Sequence, residues 1–242
     1  MSQTTAPGTT KTGSRKILLV AGEASADLHA SHVVRELKAN DPSLRIAGIG
    51  GEALRRAGME ILFDARDLSV VGIVEVVSRL PQIRAAFNTL KQQLEKDPPG
   101  LLILLDYPDF NLRLAAVAKK HNVPVLYYIS PQIWAWRQGR VKKIARLVDY
   151  MAVVFPFEVP LYERYGVPVQ FVGHPLLDRE VPACDRDGSP GLAGVKPGWP
   201  VIGLLPGSRG SEIERLLPVM LDAAELIRAE FPAAQFIIPV AP

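Results

Sequence analysis

Short apolar runs recur along this chain, and stretches of helical periodicity separate them. Residues 17–21 read ILLVA and stop at Gly22. Runs of this kind, apolar at every position, mark strands buried on both faces of a parallel sheet. Further strands are expected at RIAGIGG (45–51), MEILF (59–63), LLILLD (101–106), VPVLYYIS (123–130), YMAVVFP (150–156) and VPVQFVG (167–173). Helices are expected between them. The first follows the 22–27 loop with a stripe at Leu28, Val33 and Leu37. EALRRAG (52–58) is a short one, and 71–96 a long one broken at Pro81. FNLRLAAVAKKHN (110–122), RQGRVKKIARLVD (137–149) and FEVPLYERYG (157–166) complete the set. Strand–helix alternation of this order predicts an α/β fold with helices on both faces of a parallel sheet.

The texture changes at residues 178–200, where Pro and Gly are dense and apolar periodicity is lost. This stretch reads as a linker. Residues 201–242 then spell strand, Gly-loop, helix, strand: a single βαβ, the start of a second Rossmann-like unit. The expected organisation is a disordered tail (1–15), a first domain (16–177), the linker and the opening of a second domain. One βαβ cannot cover both faces of a sheet, so the sequence reads as the N-terminal portion of a two-domain protein.

Composition narrows the class. The 242 residues are 48% hydrophobic and 22% charged, enough for a sizeable core and against wholesale disorder. A net charge of +3 is too small to argue for nucleic acid. The single cysteine, Cys184, rules out an internal disulfide and reads as incidental. No apolar run reaches the roughly 18–20 residues of a membrane span. The Thr/Gly-rich start lacks the apolar core of a secretory signal.

Ligands of doubly wound sheets sit at the carboxyl ends of strands, near a switch in strand order. Four loops with polar groups follow apolar strands here: 22–27, 106–111, 130–137 and 207–212. Polar candidates on the second and third include Asn111, Ser130, Gln132, Trp134 and Arg137. Asp106 ends its strand where a ligand would lie, as a base for a substrate hydroxyl or as a helix cap or loop acceptor. Asp109 suits the helix N-terminus. In LLPGSRGSE, the residues Gly207, Ser208, Arg209, Gly210 and Glu212 open a helix. They make either a phosphate site or an ordinary turn with a surface arginine. His174 is either a pocket donor or a loop-bonding histidine. His29, His32 and His121 are scattered, no metal-ligand spacing is present, and no cofactor is expected.

Two stretches suggest a lipid surface. Between 137 and 146 lie Arg137, Arg140, Lys142, Lys143 and Arg146, with no acid among them. Val141, Ile144, Ala145 and Val148 form a core stripe that leaves the cations on the other side. That side is a solvated basic face or a site for anionic lipid, with nucleic acid third. SVVGIVEVV (69–77), with Val70, Val71, Ile73 and Val74, is a buried helix start or an apolar lip for acyl chains. The pattern favours the buried helix.

Seven motifs, in order, resemble the lipid-A-disaccharide synthase family: VAGEASADLHA, VVGIVEV, DYPDFNLRLA, YYISPQIWAWRQGRVKKI, FPFE, FVGHPLLD and LLPGSRGSEI. The resemblance runs from about residue 17 to the end. It implies a GT-B-type architecture, two Rossmann-like domains facing a cleft. It implies an inverting transfer of diacylglucosamine from UDP-2,3-diacylglucosamine to the primary hydroxyl of diacylglucosamine 1-phosphate, forming a β-1,6 bond. On the matching positions, Asp106 is the essential carboxylate and Arg209 acts on phosphate. Glu23, Ser25 and Asp27 contact sugar or acceptor. Val70, Val71, Ile73, Val74, Arg140, Lys142 and Lys143 face the inner-membrane lipid surface. The resemblance thus implies a cytoplasmic enzyme, peripheral on the inner face of the bacterial inner membrane. It leaves a homodimer open for the full-length protein.

Three departures stand out. Ala26 replaces a glycine the family usually has, which would reshape the loop if that position needed positive φ. GGEALRR carries Glu52 in place of the family's proline helix start. Most of the family's C-terminal domain is not in this sequence, so the activity of the 242-residue piece itself is doubtful. Two other readings of the residues stand beside the transferase: a UDP-sugar epimerase or hydrolase of similar fold, and a non-catalytic lipid- or phosphate-binding fragment.

Overall fold

The computed structural model describes residues 15–68, 73–133, 138–178, 195–196, 199–207 and 210–240. Contacts divide the chain into two units, Met1–Arg179 and Glu180–Pro242. The expectations at Cys184, Val70, Val71, Trp134, Arg137, Ser208 and Arg209 lie outside the described residues, as do the side chains of Ile73 and Val74.

In the first unit, seven strands form one parallel sheet. They are β1 (Lys16–Ala21), β2 (Arg45–Gly50), β3 (Glu60–Asp64), β4 (Leu101–Leu105), β5 (Val125–Tyr128), β6 (Tyr150–Val153) and β7 (Val169–Phe171). Their spatial order is β3-β2-β1-β4-β5-β6-β7. The helices are α1 (Ala24–Asn40), α2 (Glu52–Arg56), α3 (Ala65–Leu68), α4 (Ile73–Lys96), α5 (Pro108–Lys120), α6 (Val141–Leu147) and α7 (Val159–Glu163). Strand order reverses between β1 and β4. Ala21 pairs with Leu105, so those two strands end level and place their loops side by side.

Two cores explain the unbroken apolar strands. Leu18, Val20, Leu102 and Leu104 point to one face and meet α4, α5 and α6 through Leu90, Leu114 and Ile144. Ile17, Leu19, Ala21, Ile103 and Leu105 point to the other and meet α1 and α2 through Ala30, Val34 and Leu54. Each buried Leu, Ile or Val among them contributes about 1.5–3 kcal/mol by leaving water. No helix among the described residues is long and apolar enough to cross a membrane.

Three expectations are corrected. First, α4 runs straight through Pro81. A proline inside a helix costs about 3 kcal/mol, and the burial of Ala86, Leu90 and Leu94 beyond it offsets that cost. Second, the buried stripe of α1 is Ala26, Ala30 and Val34; Leu28 and Val33 are only half-buried. Third, Ala26 sits inside α1, fully buried and without positive φ, so it leaves the loop unstrained. Alanine is the better helix former there. Ala26→Gly is expected to lower stability by about 1 kcal/mol in a urea melt, and an unchanged midpoint would contradict that.

The second unit contains β8 (Val201–Gly203), α8 (Gly210–Glu230) and β9 (Gln235–Ile237), with β8 and β9 parallel. Leu204, Ala224 and Ala234 are buried in it. Gly207 has φ 110, and a Cβ there would lie 2.4 Å from Glu212 Oε2. Both the positive φ and that closeness call for glycine at this position.

Candidate active site

The switch point between β1 and β4 is built around a strained corner. Asp106 and Tyr107 both hold left-handed backbone, with φ of 49° and 42°. Side-chain-bearing residues adopt that region at a cost of order 1–3 kcal/mol each, and such strain clusters at functional sites. The corner is pinned from below. Asn111 Nδ2 donates to the carbonyls of Leu105 (2.9 Å) and Asp106 (2.6 Å). The Tyr127 hydroxyl, on the neighbouring strand β5, donates to the same Asp106 carbonyl (2.7 Å). Gly22, at the end of β1, makes room, because a Cβ there would come within 3.0 Å of Tyr107 Cβ.

This anchoring takes the Asp106 main chain and leaves its carboxylate for other work. The N-cap of α5 is Tyr107, with no side-chain cap bond, so Asp106 is not a helix cap. Burial, and then the neighbouring Glu23 carboxylate, push Asp106 up to about 6. No hydrogen bond stabilises its charge among the described residues. A carboxylate of this kind is ionised at neutral pH yet basic enough to accept a proton from a hydroxyl in a transition state. Desolvation plus a like charge at a switch point is the electrostatic signature of a reacting group.

Other candidates turn out to hold the fold. Asp27 is buried, and its carboxylate accepts bonds from the main-chain N–H groups of Gly51 (2.6 Å), Ala53 (2.9 Å) and Leu54 (3.2 Å). It caps α2 from α1. Asn111 is fully buried beneath the corner and positions Asp106 instead of touching substrate. Its Oδ1 finds no donor among the described residues. Ser130 points inward and donates to Glu158, itself buried after β6. Burial raises the Glu158 carboxyl above its ordinary range. Arg140, expected on a lipid-facing surface, pairs with Asp109 at 2.6 Å. Asp109 lies in the first turn of α5, where a negative charge suits the helix dipole. Glu212, in the first turn of α8, packs close against Gly207.

The remaining candidates lie on helix turns or in loops. Ser25 and Gln132 are exposed, as are Lys142 and Lys143 on α6. Val141, Ile144 and Val148 are buried beneath them, as their spacing requires. His174 Nδ1 accepts the Leu176 N–H (3.2 Å), the loop-bonding role. Its ring also meets Phe155 at 5.6 Å and His29 at 6.2 Å. His29 looks isolated in the sequence, because nothing local announces that α1 and the loop after β7 meet. Sequence reasoning also misses Tyr107 and Tyr127. A tyrosine inside an otherwise apolar strand is a usable signal, since its buried hydroxyl needs an acceptor.

A family model described as lipid-A-disaccharide synthetase matches residues 17–242. A lipid-A-disaccharide synthase of Geobacter sulfurreducens is 57% identical over 232 residues, covering 96% of this chain and 60% of that protein. One of Geobacter metallireducens is 56% identical over 227 residues, covering 94% and 59%. The chain thus spans about 60% of the length of these relatives. A solved UDP-GlcNAc 2-epimerase from Neisseria meningitidis, bound to UDP-GlcNAc, aligns with a TM-score of 0.61 at 14% identity. The alignment covers 93% of this chain and 66% of that one. At that identity the likeness carries the fold alone.

Proposed function

This chain belongs to the lipid-A-disaccharide synthetase family, and on that footing we propose that the intact protein is an inverting glycosyltransferase with Asp106 as its general base. The donor is UDP-2,3-diacylglucosamine and the acceptor diacylglucosamine 1-phosphate. The acceptor's primary hydroxyl attacks the anomeric carbon of the donor. A new C–O bond forms as the bond to the UDP oxygen breaks, and the departing pair stays on UDP. Asp106 takes the hydroxyl proton. One displacement on one face inverts the anomeric centre and gives a β-1,6 disaccharide.

The observation that carries this reading is the Asp106 corner: a half-buried carboxylate beside Glu23, lifted to about 6 and free of capping duty. Glu23, the N-cap of α1, and Ser25 in its first turn serve the sugar. His174, beside Phe155, serves the same edge of the sheet. In the second unit, the turn at Gly207 and the start of α8 supply main-chain N–H groups for the UDP phosphates, with Arg209 as a bidentate donor. Lys142 and Lys143 supply positive charge toward the inner face of the bacterial inner membrane, where both lipid substrates reside. The whole protein works there as a peripheral cytoplasmic enzyme.

The test is a two-substrate assay on the intact protein. UDP release should depend on acceptor and match disaccharide formation one for one, with a β anomeric signal by NMR. Release of UDP without disaccharide, or epimerised UDP-sugar, would overturn the proposal in favour of a hydrolase or an epimerase.

A further inference from the structure

A cleft of about 920 Å³ lies between the middle of α4 and the first turns of α5. Its floor is a row of aromatic rings. Tyr107 stacks on Phe110 at 5.4 Å, and Phe110 meets Phe87 edge-on at 5.6 Å. Leu80, half exposed, extends the apolar surface at the rim. The row begins at Tyr107, which follows Asp106 directly in the chain and shares its left-handed corner.

The cleft is not simply greasy. Arg84 from α4 and Arg113 from α5 both line it. On α4, Leu80, Arg84 and Phe87 share a face at i, i+4 and i+7; on α5, Phe110 and Arg113 share one at i and i+3. Each helix therefore offers this cleft an apolar surface and one guanidinium. Neither arginine has an acidic partner among the described residues. The acid of the lining, Asp109, is held by Arg140. Two uncompensated guanidiniums over an aromatic floor fit an amphiphile with an anionic head: rings for a hydrocarbon chain, planar forks for a phosphate.

We propose that the α4–α5 cleft is the acceptor subsite, a proposal that rests on the transferase reading above. The phosphate of diacylglucosamine 1-phosphate lies between Arg84 and Arg113, and an acyl chain lies along Phe87 and Phe110. The primary hydroxyl, at the far end of the same sugar ring, then points back to Asp106. The spacing suits this, since α5 rises about 7.5 Å from Pro108 to Arg113, on the order of one hexose.

The experiment measures binding of diacylglucosamine 1-phosphate and of its dephosphorylated form to the intact protein, with KM for donor and acceptor alongside. The wild type should bind the phosphorylated lipid at least about tenfold more tightly. In Arg84→Gln/Arg113→Gln that preference should fall below about twofold, acceptor KM should rise about tenfold or more, and donor KM should not move. Single Arg84→Gln and Arg113→Gln variants should each show part of the effect. A preference that survives the double substitution, or a donor KM that rises in place of the acceptor's, would overturn the proposal. Equally tight, arginine-dependent binding of phosphatidylglycerol vesicles would overturn it as well, by assigning the cleft to bulk lipid. Disaccharide synthesis with an unchanged preference in the double variant removes the subsite and leaves the transferase. Arginine-dependent phosphate preference without disaccharide synthesis removes the transferase instead.

Discussion

An Asp106→Asn enzyme is expected to lose at least about a hundredfold in turnover and to become more stable above pH 6. The amide matches the carboxylate in shape and keeps the corner intact, because Asn111 and Tyr127 hold the main chain of residue 106 and not its side chain. It cannot take a proton from the acceptor hydroxyl. The stability change has the opposite sign for a definite reason. Asp106 titrates near 6 in the fold against an ordinary value of 3.8. Between those values the folded state holds the proton that the unfolded state has released, so stability falls as pH rises through 6. The gap between the two values corresponds to roughly 3 kcal/mol as an upper bound. Asparagine removes that cost. Melting temperatures of the two proteins should converge below pH 4 and separate above pH 6, with the variant higher. A structural aspartate would give the reverse order, so the paired measurement separates base from brace.

The largest loss of stability is expected at Asp27. Its carboxylate accepts three main-chain N–H bonds at the start of α2 from within a buried site. Asp27→Ala leaves three donors without an acceptor where water is scarce. Bonds to a charged group contribute about 1.5–3 kcal/mol each but do not add fully, so a loss of at least about 3 kcal/mol is expected in denaturant unfolding. Asp27→Asn should fall between, since one amide oxygen remains to accept while the NH2 group faces other donors. If Asp27 served the sugar instead, Asp27→Ala would raise a substrate KM and leave the unfolding midpoint in place.

Asp27 and Asp106 show what the sequence discloses. Strands β1 and β4 are legible because burial on both faces demands unbroken apolar runs, and the run of β4 delivers Asp106 to the sheet's carboxyl edge. What each polar side chain does there is a long-range matter. Asp27 finds its partners 24–27 residues away, and Ser130 finds Glu158 at a separation of 28. Residue type marks such positions as polar without saying whether they face inward or outward. The left-handed pair Asp106–Tyr107 is equally hidden, since neither residue is glycine. Its conformation is set by Asn111 and Tyr127, not by local preference. Pro81 illustrates the same rule for a helix, where packing beyond the proline overrides its tendency to break α4. The α4–α5 cleft needs the arrangement of two helices, although its parts, Arg84, Phe87, Phe110 and Arg113, follow helical spacing.

Asp106 as the proton acceptor is tested most directly by the pH dependence of kcat/KM for the acceptor. The wild-type profile should rise with unit slope and level off above a midpoint near 6, where the carboxylate becomes fully ionised. The residual activity of Asp106→Asn should lack that rise. A wild-type profile flat from pH 5 to 8, or an Asp106→Asn enzyme with wild-type turnover and the same profile, would contradict it.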